Sequence, residues 1–486
     1  MNPWQVDIFG LYLNDANQMY LSGICSLTSL SDFYLTRFHC IYFLRMNIIR
    51  PKLLFAFSFC CVWIVKAQDS PSHFDKMTLR QAIETGIRNN KELQNSITET
   101  EISKEREKEI FNHKLPEISF GASYKRLTNL YQYEDGLFES PTTYVPTKNV
   151  YEFNVDASLP LYSGGRLNAE SRKSKIGTQL SELKTQRTQR ILKLDIATAF
   201  LHVCHLMQQE KLVTDKMKED SLIIRQVEAM RCNGASTRNE VLRTKLQLSN
   251  HRLMLTRVQN DIIIGEHQLL TLLSLDGQTI LHIDPKSINE YYKDAEVPES
   301  NAALTQNDEL LMAKTGYELQ KTDQQMVRSA LLPQLALIGN YGLMNPNYKF
   351  YPPQPYFYRI GMIGLSMKYS ISELYKNRSK SRATKLATDQ KALEIEQTGE
   401  KVNHALFTAR QKLIEADERI RISQEAIEQA KENYRTVRQK YSENLSLITE
   451  LIDADNAYLE AESNLITNRI DKQLKYFQLQ YILGKL

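Results

Sequence analysis

Three side chains able to do metal or nucleophilic chemistry lie within four residues of one another: His202, Cys204 and His205. His202 and His205 are three apart, so on a helix they share a face and could offer two imidazoles to one ion. A zinc site needs three or four ligands, and no further Cys/His group stands at ligand spacing. No glycine-rich phosphate loop and no nucleophile elbow accompanies them. The two histidines therefore read as packing residues, no metal or cofactor is expected, and an enzyme is the weaker reading.

The cysteines carry no disulfide framework. Cys25, Cys40, Cys60 and Cys61 lie near the N-terminus, leaving Cys204 and Cys232. These are 28 residues apart on one expected helix, about 42 Å at the helical rise, and a disulfide needs Cα atoms within about 7 Å.

The whole chain of 486 residues has a formal net charge of +4, far from the basic footprint of a nucleic-acid binder. No run reaches the eighteen or so apolar residues of a spanning helix, so any membrane crossing must use strands. Arg45, Arg50 and Lys52 precede an apolar run from Leu53 to Val65, and Ala67 follows. That is the pattern of a signal peptide over 46–67, with translation expected to start at Met46 and residues 1–45 forming an upstream extension.

The remainder is written twice. Asn90-Lys91-Glu92-Leu93 recurs 217 residues later as Asn307-Asp308-Glu309-Leu310, and the same offset carries Leu115-Pro116 onto Leu332-Pro333 and Tyr124 onto Tyr341. An offset of 210 then aligns Ser171-Arg172-Lys173-Ser174-Lys175 with Ser381-Arg382-Ala383-Thr384-Lys385, and Glu240 with Glu450. Repeat 1 spans 78–285 and repeat 2 spans 307–484, joined by a linker at 286–306 expected to form a belt halfway along. Each unit reads helix, two strands, long helix, tip turn, helix. Thr78-Leu79-Arg80-Gln81 matches a capping box, and Asn89-Asn90 interrupts the helix it opens.

The long helices are expected over 164–231 and 374–441, without internal proline. Coiled-coil seams run through Ile191, Leu194, Thr198, Leu201 and His205, and through Ile420, Ser423, Ile427, Ala430, Tyr434, Val437 and Tyr441. Two short helices laid end to end nearly match each long one in length. Gly234 suits a positive φ in the first tip turn, and Asn444 is the next most tolerant residue in the second.

Residues 117–124 and 151–159 alternate strictly. Ile118, Phe120, Ala122 and Tyr124, like Tyr151, Phe153, Val155, Ala157 and Leu159, share a face opposite Glu, Ser, Asn, Asp and Gly. A half-buried soluble sheet has the same pattern as a membrane wall. Strands at 334–343 and 359–369 repeat it less cleanly, with Ile360 and Met362 on the polar face. Four strands cannot close a barrel, and an open edge in lipid is prohibitive; two copies would supply eight strands and three would supply twelve. Pro116, Pro160 and Pro333 fit helix–strand junctions, and Gly164-Gly165 lets the chain turn from strand into long helix. In repeat 2, Ser370 replaces the proline and Leu374-Tyr375 the glycines.

From Thr78 to Leu486 the chain resembles the TolC family of outer-membrane efflux proteins. Leu115-Pro116, the stretch Leu159-Pro160-Leu161-Tyr162-Ser163-Gly164-Gly165, the tip Tyr441-Ser442-Glu443-Asn444-Leu445-Ser446 and the twofold repeat carry the resemblance. It implies an α+β fold in which a homotrimer shares one twelve-stranded transmembrane β-barrel in outer-membrane lipid, four strands per protomer, continued by an α-helical coiled-coil barrel into the periplasm. The implied function is the exit duct of an efflux or secretion system, whose partners are a periplasmic adaptor (membrane-fusion) protein and an inner-membrane RND or ABC transporter. Glu450 and Asp453 take the places of aperture-lining acids, and Tyr441 with Glu240 those of a closing contact. Gly234, Ser236, Asn444 and Ser446 fall in the tips that dock the adaptor. Ser446 stands where some relatives have a basic residue. The competing reading is an exported coiled-coil scaffold without channel activity.

Overall fold

The computed structural model describes residues 76–134, 136–277, 279, 281–285, 306–347 and 354–486. The expected signal peptide, nearly all of the 286–306 linker and residues 348–353 lie outside them. In chain order the elements are α1 (Leu79–Asn89), α2 (Lys91–Asn112), β1 (Glu117–Arg126), β2 (Leu130–Gln132), β3 (Thr142–Tyr144), β4 (Asn149–Ser163), α3 (Arg166–Cys232) and α4 (Arg238–Leu273). They continue with α5 (Asp308–Ser329), β5 (Gln334–Asn345), β6 (Tyr358–Lys368), α6 (Glu373–Ser442) and α7 (Ile448–Ile482). The α+β reading holds, and no described helix is long and apolar enough to cross a membrane.

The four long strands form one antiparallel sheet in the order β1-β4-β5-β6. Its register puts Phe120 opposite Val155, Val155 opposite Tyr341, and Leu337 opposite Leu365, so one face is apolar across all four strands. Ser119, Asp156, Asn340 and Met362 line the other, where Asn340 donates to Asp156 over 2.6 Å and Lys125 and Ser123 converge on Glu152. Ile360 and Met362 fall on the polar face as expected. Between β1 and β4 the chain also makes a small ribbon, β2 paired with β3, that alternation alone did not mark.

The helices form two rows, one above the other. Near the sheet the order is α2-α3-α5-α6, which copies the strand order; farther away it is α4-α3-α7-α6. The long helices α3 and α6 run through both rows, while α2 stacks end to end on α4 and α5 on α7. One asparagine splices each stack. Asn90 caps α2 by accepting from the Glu92 and Leu93 amides and donates Nδ2 to the Leu272 carbonyl that ends α4. Asn307 makes the same three bonds to Glu309, Leu310 and Ile482. Each side chain thus satisfies orphan groups of two helix ends at once.

The deepest core lies at the first splice. Thr78 and Gln81 form the expected capping box, and α1 with the parallel bridge Met77–Ile283 covers α3. Phe200, Ile196, Val203 and Cys204 are buried there beside Leu79 and Leu273. The first expected seam is therefore too narrow: of its members only Leu201 is fully buried, because α1 and residues 281–285 cover further faces of α3. The seam of α6 appears as read, with Ser423, Tyr434 and Tyr441 buried.

Pro116 and Pro333 precede β1 and β5 as expected. Pro160 does not mark a junction: it pairs with Ala336 inside β4, beside a bulge between Pro160 and Tyr162, where a missing N–H is tolerated. The turn into α3 belongs to Gly164 and Gly165, at φ 63 and 81. In repeat 2 the turn Ser370–Ser372 stays right-handed and Asn377, buried on α6, donates to the Val327 carbonyl. A Cβ at Gly164 would lie 2.6 Å from the Ser329 carbonyl oxygen, whereas at Gly165 it meets open space. Gly165→Ala should therefore cost only the left-handed strain, about 1–2 kcal/mol. Gly164→Ala should cost distinctly more in urea unfolding of the detergent-extracted protein, and equal losses would refute the close-approach account.

Candidate functional site at the helical tip

Both tip turns close in the same way. The Ala235 and Gly234 amides donate to the Met230 and Arg231 carbonyls, and Leu445 and Asn444 donate to Lys440 and Tyr441. This is the paired bonding of a Schellman stop. It needs a left-handed residue, found at Gly234 (φ 75) and Asn444 (φ 59). Beyond each turn a serine hydroxyl holds the carboxylate four residues on: Ser236 donates to Glu240 over 2.5 Å, and Ser446 donates to Glu450. Glu240 also completes a capping box with Thr237, whereas Leu447 gives α7 no side-chain cap.

Tyr441, at the end of α6, is buried beside Glu240, and its hydroxyl lacks a well-formed hydrogen bond. Burial first, and then the Glu240 carboxylate, push the pKa of that hydroxyl up. The structure thus brings Tyr441 and Glu240 together across the two hairpins of one chain. Glu450 and Asp453, three apart on α7, are exposed on one side of the helix and enter no ion pair among the described residues. Among the described residues no hydrogen bond or ion pair joins them to Tyr441 or Glu240.

The tip also holds a buried charged network that motif reading missed. Lys216, 4% exposed on α3, donates to Asp455 on α7 over 2.8 Å and to Glu219 over 3.1 Å. Its ammonium lies 5.0 and 4.6 Å from the ring centroids of Tyr434 and Tyr458. Glu219 in turn accepts from the Tyr434 hydroxyl and pairs with Arg438 on α6. One turn along, Asp220 meets His251 of α4 over 2.6 Å, both buried. Four helices are tied by these groups. The available signal was phase: Lys216 and Asp220 sit at three-four spacing in the seam Val213, Ile223, Val227, where only apolar residues are otherwise buried.

Burial pulls the Lys216 pKa down, but Asp455 and Glu219 outweigh it and hold it above the ordinary 10.5. Burial pushes Glu219 up, and Tyr434, Lys216 and Arg438 outweigh that, leaving it below 4.5. The signs differ accordingly. The Lys216 contribution is present below pH 10.5 and lost as pH rises through the folded pKa; that of Glu219 is present above 4.5 and lost as pH falls through the folded pKa.

The two histidines and the cysteine between them sit in unlike environments. Cys204 is buried, and its thiol is pushed up to about 12, chiefly by burial. His202 is exposed, burial lowers the pKa of His205, and no group of three metal-ligating side chains occurs among the described residues.

Lys216→Met leaves the buried Asp455 without its cation, while Glu219 keeps Arg438, and should lower tip stability by about 3–5 kcal/mol. Amide exchange in α3 and α7 reads this directly, and adding Asp455→Leu should recover part of the loss. The unsubstituted protein should lose tip protection as pH falls below 4.5, and Glu219→Gln should remove that loss.

The outer membrane efflux protein family matches the chain over residues 83–274 and 300–485. Among solved structures, CusC is similar with a TM-score of 0.73 at 13% identity, covering 86% of this chain and 95% of that one. The CmeC outer membrane channel of Campylobacter jejuni gives 0.70 at 16%, covering 85% and 86%. The open state of the MtrE outer membrane channel of Neisseria gonorrhoeae gives 0.70 at 15%, covering 84% and 89%. No curated protein sequence matches. With the sheet, the stacked helices and both matched blocks in hand, the chain belongs to the outer membrane efflux protein family and is an outer-membrane efflux channel.

Proposed function

We propose that three copies close their sheets into one twelve-stranded barrel and their helix rows into one tunnel, a passive duct from a periplasmic adaptor and an inner-membrane RND or ABC transporter to the exterior. The observation that carries this reading is the sheet itself: it is apolar across one face, polar over β1 and β4 on the other, where Ile360 and Met362 of β6 also lie, and among the described residues unpaired along the outer edges of β1 and β6. The apolar face meets lipid and the polar face lines the lumen, because alternation leaves each strand one wall of each kind.

At the far end, Glu450 and Asp453 from three copies form a ring of six carboxylates at the periplasmic aperture. Like charges gathered around one axis favour cation binding, so the ring prefers cations and multivalent ions plug it. The Tyr441–Glu240 contact between the two hairpins of each chain is the closing contact. Ser236 and Ser446, holding Glu240 and Glu450 against the tip turns at Gly234 and Asn444, present those turns to the adaptor.

Expression from Met46, followed by membrane fractionation and native mass in detergent, should give an outer-membrane trimer; a soluble monomer or dimer would leave the coiled-coil scaffold as the better account. In planar bilayers, Glu450→Ala with Asp453→Ala should raise the concentration of multivalent cation needed for block about tenfold or more, equivalent to about 1.4 kcal/mol. Unchanged block would remove both residues from the aperture.

A further inference from the structure

The helix row near the sheet has two unlike ends. α3 is flanked by α2 and α5, and α5 by α3 and α6, whereas α2 and α6 each have a neighbour on one side only. Exposure follows this. Ile176 on α3 is 8% exposed, while Leu386, 210 residues later on α6, is 61% exposed. Leu319 on α5 is half-buried, while Ile102, 217 residues earlier on α2, is 41% exposed. What α3 and α5 bury against each other, α6 and α2 leave uncovered.

The two repeats place their residues alike, as the asparagine splices and tip turns show. The contact of α6 with α2 of a next copy is then the α3–α5 contact made once more, a head-to-tail interface of the kind that closes rings. Four ion pairs mark the α3–α5 seam: Arg172–Glu318 at 3.3 Å, Lys173–Asp323 at 2.7 Å, Arg187–Glu309 at 3.7 Å, and Arg190–Asp308. Shifted by 210 and 217 residues, Arg172–Glu318 becomes Arg382–Glu101, with the same signs. Arg190–Asp308 becomes Glu400–Lys91, with the signs exchanged and the attraction kept. Arg187–Glu309 becomes Gln397–Glu92, able to hydrogen-bond, and only Lys173–Asp323 is lost, as Ala383–Arg106.

Lys91, Glu101, Arg382 and Glu400 are all exposed and have no ion-pair partner among the described residues of their own chain. The strands agree independently. The β4–β5 register shifted in the same way sets Met367 opposite Ala122 and Leu365 opposite Tyr124 of the next copy, apolar on apolar. We infer that a second copy of this chain docks its α2 along α6, keyed by Arg382–Glu101 and Glu400–Lys91 ion pairs across the seam. This rests on the ring-forming reading above and adds its register.

The test uses the chain expressed from Met46, whose signal peptide carries Cys60 and Cys61 away, with Cys232→Ser to silence the one thiol exposed among the described residues. Arg382→Cys with Glu101→Cys, treated in detergent with a short bis-maleimide, should yield covalent dimers and trimers on denaturing gels. Arg382→Cys with Glu109→Cys, displaced by about 12 Å along α2, should yield few. Separately, R382E and E101R should each lower the temperature at which the oligomer dissociates, and their combination should restore it. If a reversal variant does not fold, the crosslinking decides alone. An oligomer in which the in-register pair links no better than the displaced one overturns the seam and leaves the duct standing. A monomeric native mass for the unsubstituted chain overturns both.

Discussion

A backbone amide or carbonyl in hydrocarbon has no water to bond, and each one left unpaired costs several kcal/mol. The four-stranded sheet pairs every interior edge and leaves β1 and β6 open. Much of the remaining architecture follows from that constraint. Each strand is joined to a helix by a turn of a few residues, so the helices inherit the strand order: α2 leads into β1, α3 leaves β4, α5 leads into β5 and α6 leaves β6. The edge strands therefore carry the edge helices. Whatever closes the sheet must close the helix row with it.

Passing from sheet to helix without exposing backbone is solved differently in the two halves. In the first, two left-handed glycines bring the start of α3 against the Ser329 carbonyl, closer than any side chain permits. In the second, a right-handed serine turn suffices and Asn377 ties the start of α6 to the end of α5. Both bring a long helix down beside its neighbour, and the asparagine splices then let two short helices act as one.

The repeat is broken where the charges are buried. Lys216 and Asp455 lie between α3 and α7, inside one chain. Their counterparts 210 residues away, Ala426 and Lys245, cannot form such a pair between α6 and α4. Removing a buried ion from its partner is costly, whereas an exposed pair is worth about 1 kcal/mol or less. The two hairpins of one chain are thus locked to each other more firmly than exposed pairs could lock one chain to the next.

Local physics was legible in the residues alone. The period of two in 151–159, the proline-free period of three and a half in the long helices, the Thr78 capping box and the positive-φ choices at Gly234 and Asn444 are each decided by neighbours a few positions away. The duplicated Asn90 and Asn307 marked the repeat, although their second role, holding the ends of α4 and α7, depends on chain 182 and 175 residues distant. Pro160 illustrates the limit: its missing donor announced a break, but whether that break ended the strand or bulged it was settled by the partner strand β5. Lys216, Glu219, Asp220, His251 and Asp455 carried too little local signal, since a charge in a helix is ordinarily solvated. Only the packing of four helices from both ends of the chain removes that water, and electrostatics becomes strong where water is excluded. The sequence by itself determined the elements, their duplication and their amphipathic faces; the tertiary structure alone decided which charges are buried and which edges remain open, because both depend on what lies across a gap that no local pattern spans.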